Sequence, residues 1–178
     1  MKTEALAVLM SDAARAAFTE KREQIGSDEI LAYAIFTHDD ADSCTTVLAT
    51  KSAYDAYEIA SKEYFLFTPV EWGEGGDYTH FAKVNEALET LYNLGDYEQD
   101  PDWHDKFREL VFEAGVQGLK RLVDEGFFGD EAQRDHCFIT LYLSDSDTDQ
   151  THLEDWVKRL NTTSVNDRYV SFRELEDI

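Results

Sequence analysis

Cysteine and proline are scarce in this chain of 178 residues, which contains two of each. Cys44 and Cys137 are too far apart in sequence to form a metal-binding motif, and two thiols do not make the disulfide framework of a small secreted protein. We therefore expect both to be buried thiols. The low proline and glycine content argues against disorder, and 43% hydrophobic residues suffice for one ordinary core. The sequence predicts a single domain over residues 1–178.

Long hydrophobic runs are also absent. No stretch approaches the roughly 18 apolar residues that a membrane-spanning helix needs. Near the amino terminus, the apolar segment after Glu4 is interrupted by Ser11 and Asp12, so it is too short for a secretory signal. We therefore expect a soluble, cytoplasmic protein.

Basic residues are the third deficit, since 16 Lys and Arg stand against 38 Asp and Glu and give a net charge of -22. Such a surface repels nucleic acid and anionic lipid, and it attracts basic proteins, basic peptides or cations. The same excess would also serve solubility or adaptation to high salt. Charge therefore argues against nucleic acid and membranes as partners, but it does not identify a partner or an oligomeric state.

Hydrophobic periodicity predicts an α+β fold. A first helix over Lys2–Gln24 precedes two strands, Ile30–Thr37 and Cys44–Thr50, which form a hairpin with an acidic tip. A further strand follows at His136–Leu143. We expect a small, mainly antiparallel sheet, made of the hairpin and at least one further strand, with several helices packed over one face.

The remaining segments supply the other helices. A helix beginning at Ser52 should end near Lys62, and Tyr64–Phe67 should form a strand or a buried extended segment before Pro69. Three further helices are predicted over Phe81–Leu91, Trp103–Glu125 and Thr151–Leu160. The second of these contains Gly115 and Gly118, each of which costs about 1 kcal/mol relative to alanine. That helix is therefore either closely packed or locally interrupted.

One acidic segment partly matches a calcium-binding loop. Asp145, Asp147 and Asp149 alternate as in the first half of such a loop. Gln150 and Trp156 stand where the turn glycine and the bidentate glutamate are required. A strand-to-helix turn, whose acids favour the helix amino terminus, explains the segment better.

Other catalytic and ligand-binding motifs are missing. The five histidines form no zinc pattern, and His136 and Cys137 would point to opposite faces of a strand. The loop at Gly73, Gly75 and Gly76 lacks the lysine of a phosphate-binding loop. The sequence therefore predicts no catalytic residue, no metal site and no cofactor, and we expect a protein that is not an enzyme.

Two acidic segments are the candidate partner-binding regions, the hairpin tip and the loop that follows Val70. Their candidate residues are Asp39, Asp40, Asp42, Glu71, Trp72, Glu74 and Asp77. A tryptophan on a loop is either a core anchor or an interface hot spot, and both interpretations are open for Trp72.

Three blocks together carry a family resemblance: Ala32–Thr37, the Tyr64–Trp72 segment with its Thr-Pro-x-Glu-Trp element, and Trp156–Asn161. They resemble a bacterial domain-of-unknown-function family of acidic cytoplasmic proteins, from the hairpin through Asn161. Families of this kind often occur beside secreted polymorphic toxins. The resemblance therefore implies an immunity protein that neutralises a toxin domain, and it supplies no catalytic residue.

The favoured hypothesis is a non-enzymatic protein that binds a basic protein, such as a toxin domain, through its acidic loops. The alternative is a hydrolase or small-molecule-binding enzyme whose carboxylates converge only in the fold, which a deep pocket with close carboxylates would favour. A third possibility is a scaffold adapted to salt, for which the acids would be spread evenly.

Overall fold

A computed structural model describes residues 2–75, 78–95, 99–144 and 150–176. The helices are Thr3–Ile25 (α1), Lys51–Ala56 (α2), Lys62–Phe67 (α3), Ala82–Tyr92 (α4), Trp103–Asp124 (α5), Glu131–Arg134 (α6), Gln150–Leu160 (α7) and Thr163–Glu176 (α8). The strands are Ile30–His38 (β1), Cys44–Thr50 (β2), Glu74–Gly75 (β3) and Phe138–Ser144 (β4). Short 3-10 turns cover Ile59–Ser61 and Pro69–Glu71. The predicted α+β class is confirmed.

The strands form one mixed sheet in the order β3-β2-β1-β4. β1 and β2 make the predicted antiparallel hairpin, with Thr37 opposite Cys44 at its tip. β4 joins the other side of β1 in parallel, from Ala32 opposite Phe138 to His38 opposite Ser144. The further strand predicted at His136–Leu143 is thus confirmed. Its parallel direction brings the carboxyl ends of β1 and β4 together at the hairpin tip.

Helices cover both faces of the sheet, so the prediction that they pack over one face is wrong. Tyr33 and Ile35 of β1 belong to a core that includes residues of α1, α4 and α5. Ala32 and Ala34 point the other way, into a second core with residues of α3 and α8. β1 is apolar from Ile30 to Phe36, and both of its alternating sets of residues are buried, which is typical of a central strand covered on two sides.

The two glycines of α5 lie at close contacts, which confirms close packing of this helix. A Cβ atom on Gly118 would stand 3.0 Å from the carbonyl oxygen of Ala7 in α1. A Cβ atom on Gly115 would stand 3.0 Å from Cδ1 of Leu141 in β4. The missing side chains therefore let α5 approach α1 on one side and the sheet on the other.

The segment after β2 differs from its prediction. Tyr64–Phe67 is helical, within α3, and consecutive burial of Phe65, Leu66 and Phe67 explains the error, because a short apolar run carries no usable period. α2 ends at Ala56, well before Lys62. Its amino terminus is capped by Thr50, whose Oγ1 accepts a hydrogen bond from the Ala53 N–H at 3.3 Å.

The carboxy-terminal helix α8 was not predicted. Its buried residues Val165, Tyr169 and Phe172 complete the second core. There the rings of Phe138 and Tyr169 stack with their centroids 5.7 Å apart. Small alanines on this face of β1 leave the space that these aromatic rings fill.

Both cysteines are free and buried, as expected. Within the described ranges, no helix is at once long enough and apolar enough to cross a membrane.

Candidate binding site at the hairpin tip

The hairpin tip, defined as residues 39–43, follows β1 at the edge where β1 and β4 both end. His38, the last residue of β1, places its Nδ1 atom 2.9 Å from Oγ of Ser144, the last residue of β4. This contact joins the carboxyl end of β1, where the tip begins, to the carboxyl end of β4.

Helix α5 holds two of the predicted tip carboxylates. Arg108 donates a hydrogen bond to Asp39 and forms an ion pair with it. His104, one turn earlier, places Nε2 at 3.3 Å from Oδ1 of Asp40. The Asp39 carboxylate is therefore committed to a contact within the fold, whereas the Asp40 side chain remains 73% exposed.

Helix α4 holds the other end of the tip through Asn85. The Cys44 N–H donates to Oδ1 of Asn85 at 2.8 Å, and Nδ2 of Asn85 donates to the Cys44 carbonyl at 3.1 Å. Within the tip, the Ala41 N–H donates to the His38 carbonyl at 2.9 Å. Ala41, in the middle of the tip, has a φ of 55° and is fully buried, so its side chain anchors the tip in the core. The tip is fixed at both ends and in the middle.

An acidic groove of about 670 Å³ runs between the tip and α4. Its lining residues are Asp40, Asp42, Ala82, Asn85, Glu86, Glu89, Tyr92 and Asn93. The Asp42 carboxylate accepts a hydrogen bond from the Ser43 hydroxyl at 3.1 Å. In the part of the chain that the structure describes, no Lys or Arg forms an ion pair with Asp42, Glu86 or Glu89. The groove therefore concentrates negative charge that the fold leaves uncompensated.

The thiol next to the tip is not set up for nucleophilic chemistry. Burial raises the pKa of Cys44 to about 12, and the nearby charge of Asp42 acts in the same direction. A thiol in this state stays protonated at neutral pH, and the thiolate is the reactive form. What the groove offers is electrostatic: its carboxylates can accept charge-assisted hydrogen bonds from Arg or Lys.

In the second predicted segment, neither Glu71 nor Trp72 lines this groove. Glu71 is exposed and accepts a hydrogen bond from the Tyr57 hydroxyl at 3.2 Å. Trp72 is only 4% exposed, and its Nε1–H donates to the Phe65 carbonyl at 2.8 Å. Of the two interpretations left open for Trp72, the structure supports the core anchor, because its ring lies in the second core. Glu74 belongs to the edge strand β3, opposite Leu48, and Asp77 lies outside the described residues.

Six groove residues, all in α4 or directly after it, were not predicted: Ala82, Asn85, Glu86, Glu89, Tyr92 and Asn93. The helical pattern of this segment identified its core face, and Val84, Leu88 and Leu91 are indeed buried. A usable signal was Asn85, because asparagine in a helix interior favours non-helical hydrogen bonding unless a tertiary contact holds it. Nothing in the sequence shows that this helix lies beside the tip.

Two cavities lie at the other end of β1, where the chain enters the strand, and both are lined by Glu29 and His136. The larger, of about 660 Å³, also contains Asp130 and Cys137. Asp130 caps α6 by accepting a hydrogen bond from the Gln133 N–H at 3.0 Å. Burial raises the pKa of Cys137 to about 12, so this thiol is also protonated at neutral pH.

No group of three or more His, Cys, Asp or Glu side chains close enough to share a metal ion occurs among the described residues. Asp145, Asp147 and Asp149, which partly match a calcium loop, lie outside them.

Comparison with known proteins gives one match. Residues 10–162 match the family model described as Domain of unknown function (DUF4303). No curated protein matches, and no solved structure matches. The matched span contains the hairpin, α4 and α5, and it ends at the residue before α8. Since the model covers most of the chain, this protein belongs to the DUF4303 family.

Proposed function

We propose that this protein is a non-enzymatic binding protein that captures a basic protein in the acidic groove between the hairpin tip and α4. We further propose that the partner is a toxin domain, that binding neutralises it, and that this happens in the cytoplasm. The toxin and the compartment rest on the resemblance described from the sequence. The binding role rests on the groove.

The observation that carries the proposal is the convergence of Asp40, Asp42, Glu86 and Glu89 on one groove. Carboxylates that line one groove give it a negative potential, and an Arg or Lys side chain placed among them is attracted by it. Hydrogen bonds to ionised partners are roughly twice as strong as those between neutral groups. A basic side chain is therefore the ligand that gains most from this groove.

Fixation of the tip also supports binding. Arg108 and Asn85 hold the two ends of the tip from α5 and α4, so the carboxylates do not have to be ordered when a partner arrives. Association loses less free energy when the binding surface is already ordered. The partner's own charge would at the same time be drawn in by the net charge of -22.

A paired set of charge reversals tests the proposal. The groove variant carries Asp42→Lys and Glu89→Lys, neither of which breaks an ion pair seen among the described residues. The control carries Asp167→Lys and Glu174→Lys, which change the net charge equally at exposed positions of α8. Each protein is used to capture partners from the native host, with the product of the neighbouring gene expressed alongside.

We expect the wild type and the control to recover the same basic protein in stoichiometric amount, and the groove variant to lose it. The association rate of the recovered protein is then measured with each variant. The groove variant should lower this rate most at low salt, because the Debye length increases to about 30 Å at 0.01 M ionic strength and charges are screened less. Equal recovery by both variants, or capture of an acidic partner, would contradict the proposal.

A further inference from the structure

Helix α4 and the turn that follows it border a depression of about 470 Å³ beside the groove. Its lining residues are Lys83, Glu86, Ala87, Thr90, Leu91 and Leu94, and its apolar members, with Leu94 the most exposed, are called the patch. Leu94 lies two residues beyond the end of α4 and is 69% exposed, whereas Leu88 and Leu91 within the helix are buried. A leucine this exposed contributes little to the core, so its apolar surface is available to another molecule.

The patch and the acidic groove are two sides of one continuous surface. The stripe at helical spacing begins with the basic residue Lys83 and continues through Ala87, Thr90 and Leu94. Glu89 and Asn93 lie on the neighbouring stripe. Glu86 lies between the two stripes and lines both the depression and the groove. A segment lying across α4 would therefore meet apolar surface and carboxylates together.

We infer that the patch receives a large apolar side chain of the same basic partner, next to the Lys or Arg that enters the groove; this rests on the proposed function. An apolar centre beside a polar, charged rim is the usual arrangement of protein interfaces. The carboxylates on one side make binding selective for a basic partner, and the contact with Leu94 lowers the dissociation rate.

A second copy of this chain is the less favourable occupant. Joining two patches would bring the acidic grooves of two molecules, each with a net charge of -22, close together. Like-charge juxtaposition opposes such an association.

Two synthetic peptides serve as probes. Each is a helical peptide of about 18 residues, long enough to form a helix. The first carries lysines on one stripe and leucines on the next, and the second carries alanine in place of every leucine. Alanine is the stronger helix former, so weaker binding of the second peptide cannot reflect lost helicity. Binding is measured by fluorescence anisotropy at physiological salt.

The protein variants are Leu94→Ser and, as a matched control, Leu175→Ser in α8, where the leucine is 73% exposed. We expect Leu94→Ser to weaken binding of the leucine peptide about ten-fold, which corresponds to burial of most of one leucine side chain. The alanine peptide and the Leu175→Ser control should show no change. The melting temperature of each variant shows that it is folded.

The outcomes separate this inference from the proposed function. If both peptides bind the wild type equally, or if Leu94→Ser behaves like Leu175→Ser, the inference is wrong while the groove proposal stands. If neither peptide binds, both are wrong. A wild-type dimer in analytical ultracentrifugation that Leu94→Ser dissociates would assign the patch to a second copy and overturn the inference alone.

Discussion

The side-chain amide of Asn161 pairs with both backbone polar groups of Ile139. Its Oδ1 accepts from the Ile139 N–H at 2.8 Å, and its Nδ2 donates to the Ile139 carbonyl at 2.7 Å and to the Val157 carbonyl at 2.9 Å. Ile139 lies in β4, at one edge of the sheet. The amide therefore supplies the two hydrogen bonds that a neighbouring strand would make with Ile139, and it fixes the end of α7 on the sheet.

Replacing this amide should destabilise the fold. We expect Asn161→Ala to lower the free energy of unfolding by about 1–3 kcal/mol, because it leaves partly buried backbone groups without partners. Urea unfolding followed by circular dichroism measures this. Asn166→Ala, in α8, is the control and should stay within about 0.5 kcal/mol of the wild type. Equal losses in both variants would show that the amide contacts carry little stability.

The two glycines of α5 should respond differently to alanine. At Gly118 the added Cβ would meet backbone atoms of α1, 3.0 Å from the Ala7 carbonyl oxygen and 3.2 Å from the Ser11 nitrogen. We expect Gly118→Ala to be destabilising, since overpacking costs about 1–3 kcal/mol and exceeds the roughly 1 kcal/mol gained in helix propensity.

Gly115→Ala is the matched comparison in the same helix. Its new Cβ would meet only the side chain of Leu141, which can move. We therefore expect a neutral or slightly stabilising effect, measured as the midpoint of urea unfolding. A similar loss of stability at both positions would show that the close approach of α5 to α1 does not set the cost of an added Cβ.

The ion pair between Glu113 and Arg159 should make stability depend on pH. Arg159 donates to both oxygens of Glu113, at 2.7 and 2.8 Å, and this holds the pKa of the carboxyl below its usual value of 4.5. Because the folded pKa is lowered, the stabilisation is fully present above about pH 4.5. It is lost as the pH falls through the folded value.

Glu113→Gln should therefore reduce stability at pH 7 and make no difference at strongly acidic pH. The loss should stay below about 1 kcal/mol, since both side chains are about a third exposed to solvent. Glu109→Gln removes the same charge from the same helix and corrects for the reduced repulsion of the whole chain. Thermal unfolding of the three proteins across pH checks this, and a gap between the variants that persists in acid would contradict it.

Loss of Asn85 should loosen the hairpin tip without unfolding the protein. In Asn85→Ala the Cys44 N–H loses its acceptor, so its amide hydrogen should exchange faster with solvent. The control is Asn93→Ala, which removes an amide from the groove but no contact to β2. Hydrogen exchange by NMR or mass spectrometry reads this out. Unchanged exchange at Cys44 would show that the tip is held by its other contacts.

The sequence predicted those parts of the fold that follow from local pattern. The β-branched and aromatic residues of β1 and β2, with a polar run between them, predicted the hairpin, and the long amphipathic period of α5 predicted that helix. Prediction failed where tertiary contacts decide. The apolar residues of α3 have no readable period, and burial of β1 on both faces depends on α8, whose own pattern is weak.

The candidate site was predicted only where local sequence pattern decides the position of its residues. Asp40 and Asp42 lie on a turn between two strands, so their position at a tip follows from sequence. Glu86 and Glu89 could be placed on the polar side of a helix, but their proximity to the tip depends on the contact between Asn85 and Cys44, which are 41 residues apart. For Trp72 the sequence left a core anchor and an interface residue both open, because loop composition does not show which loop side chains enter a core.

Apart from Asp40, which His104 contacts, the carboxylates that face the groove take no part, among the described residues, in the contacts by which α4 and α5 hold the tip. Arg108 and Asn85 support the tip, whereas Asp42, Glu86 and Glu89 form no ion pair within the described part of the chain. Substitutions at these three positions can therefore accumulate with little loss of folding stability. Under the proposed function, related proteins can therefore diverge in what they bind while inheriting the same scaffold, and a change of partner requires only a few surface mutations.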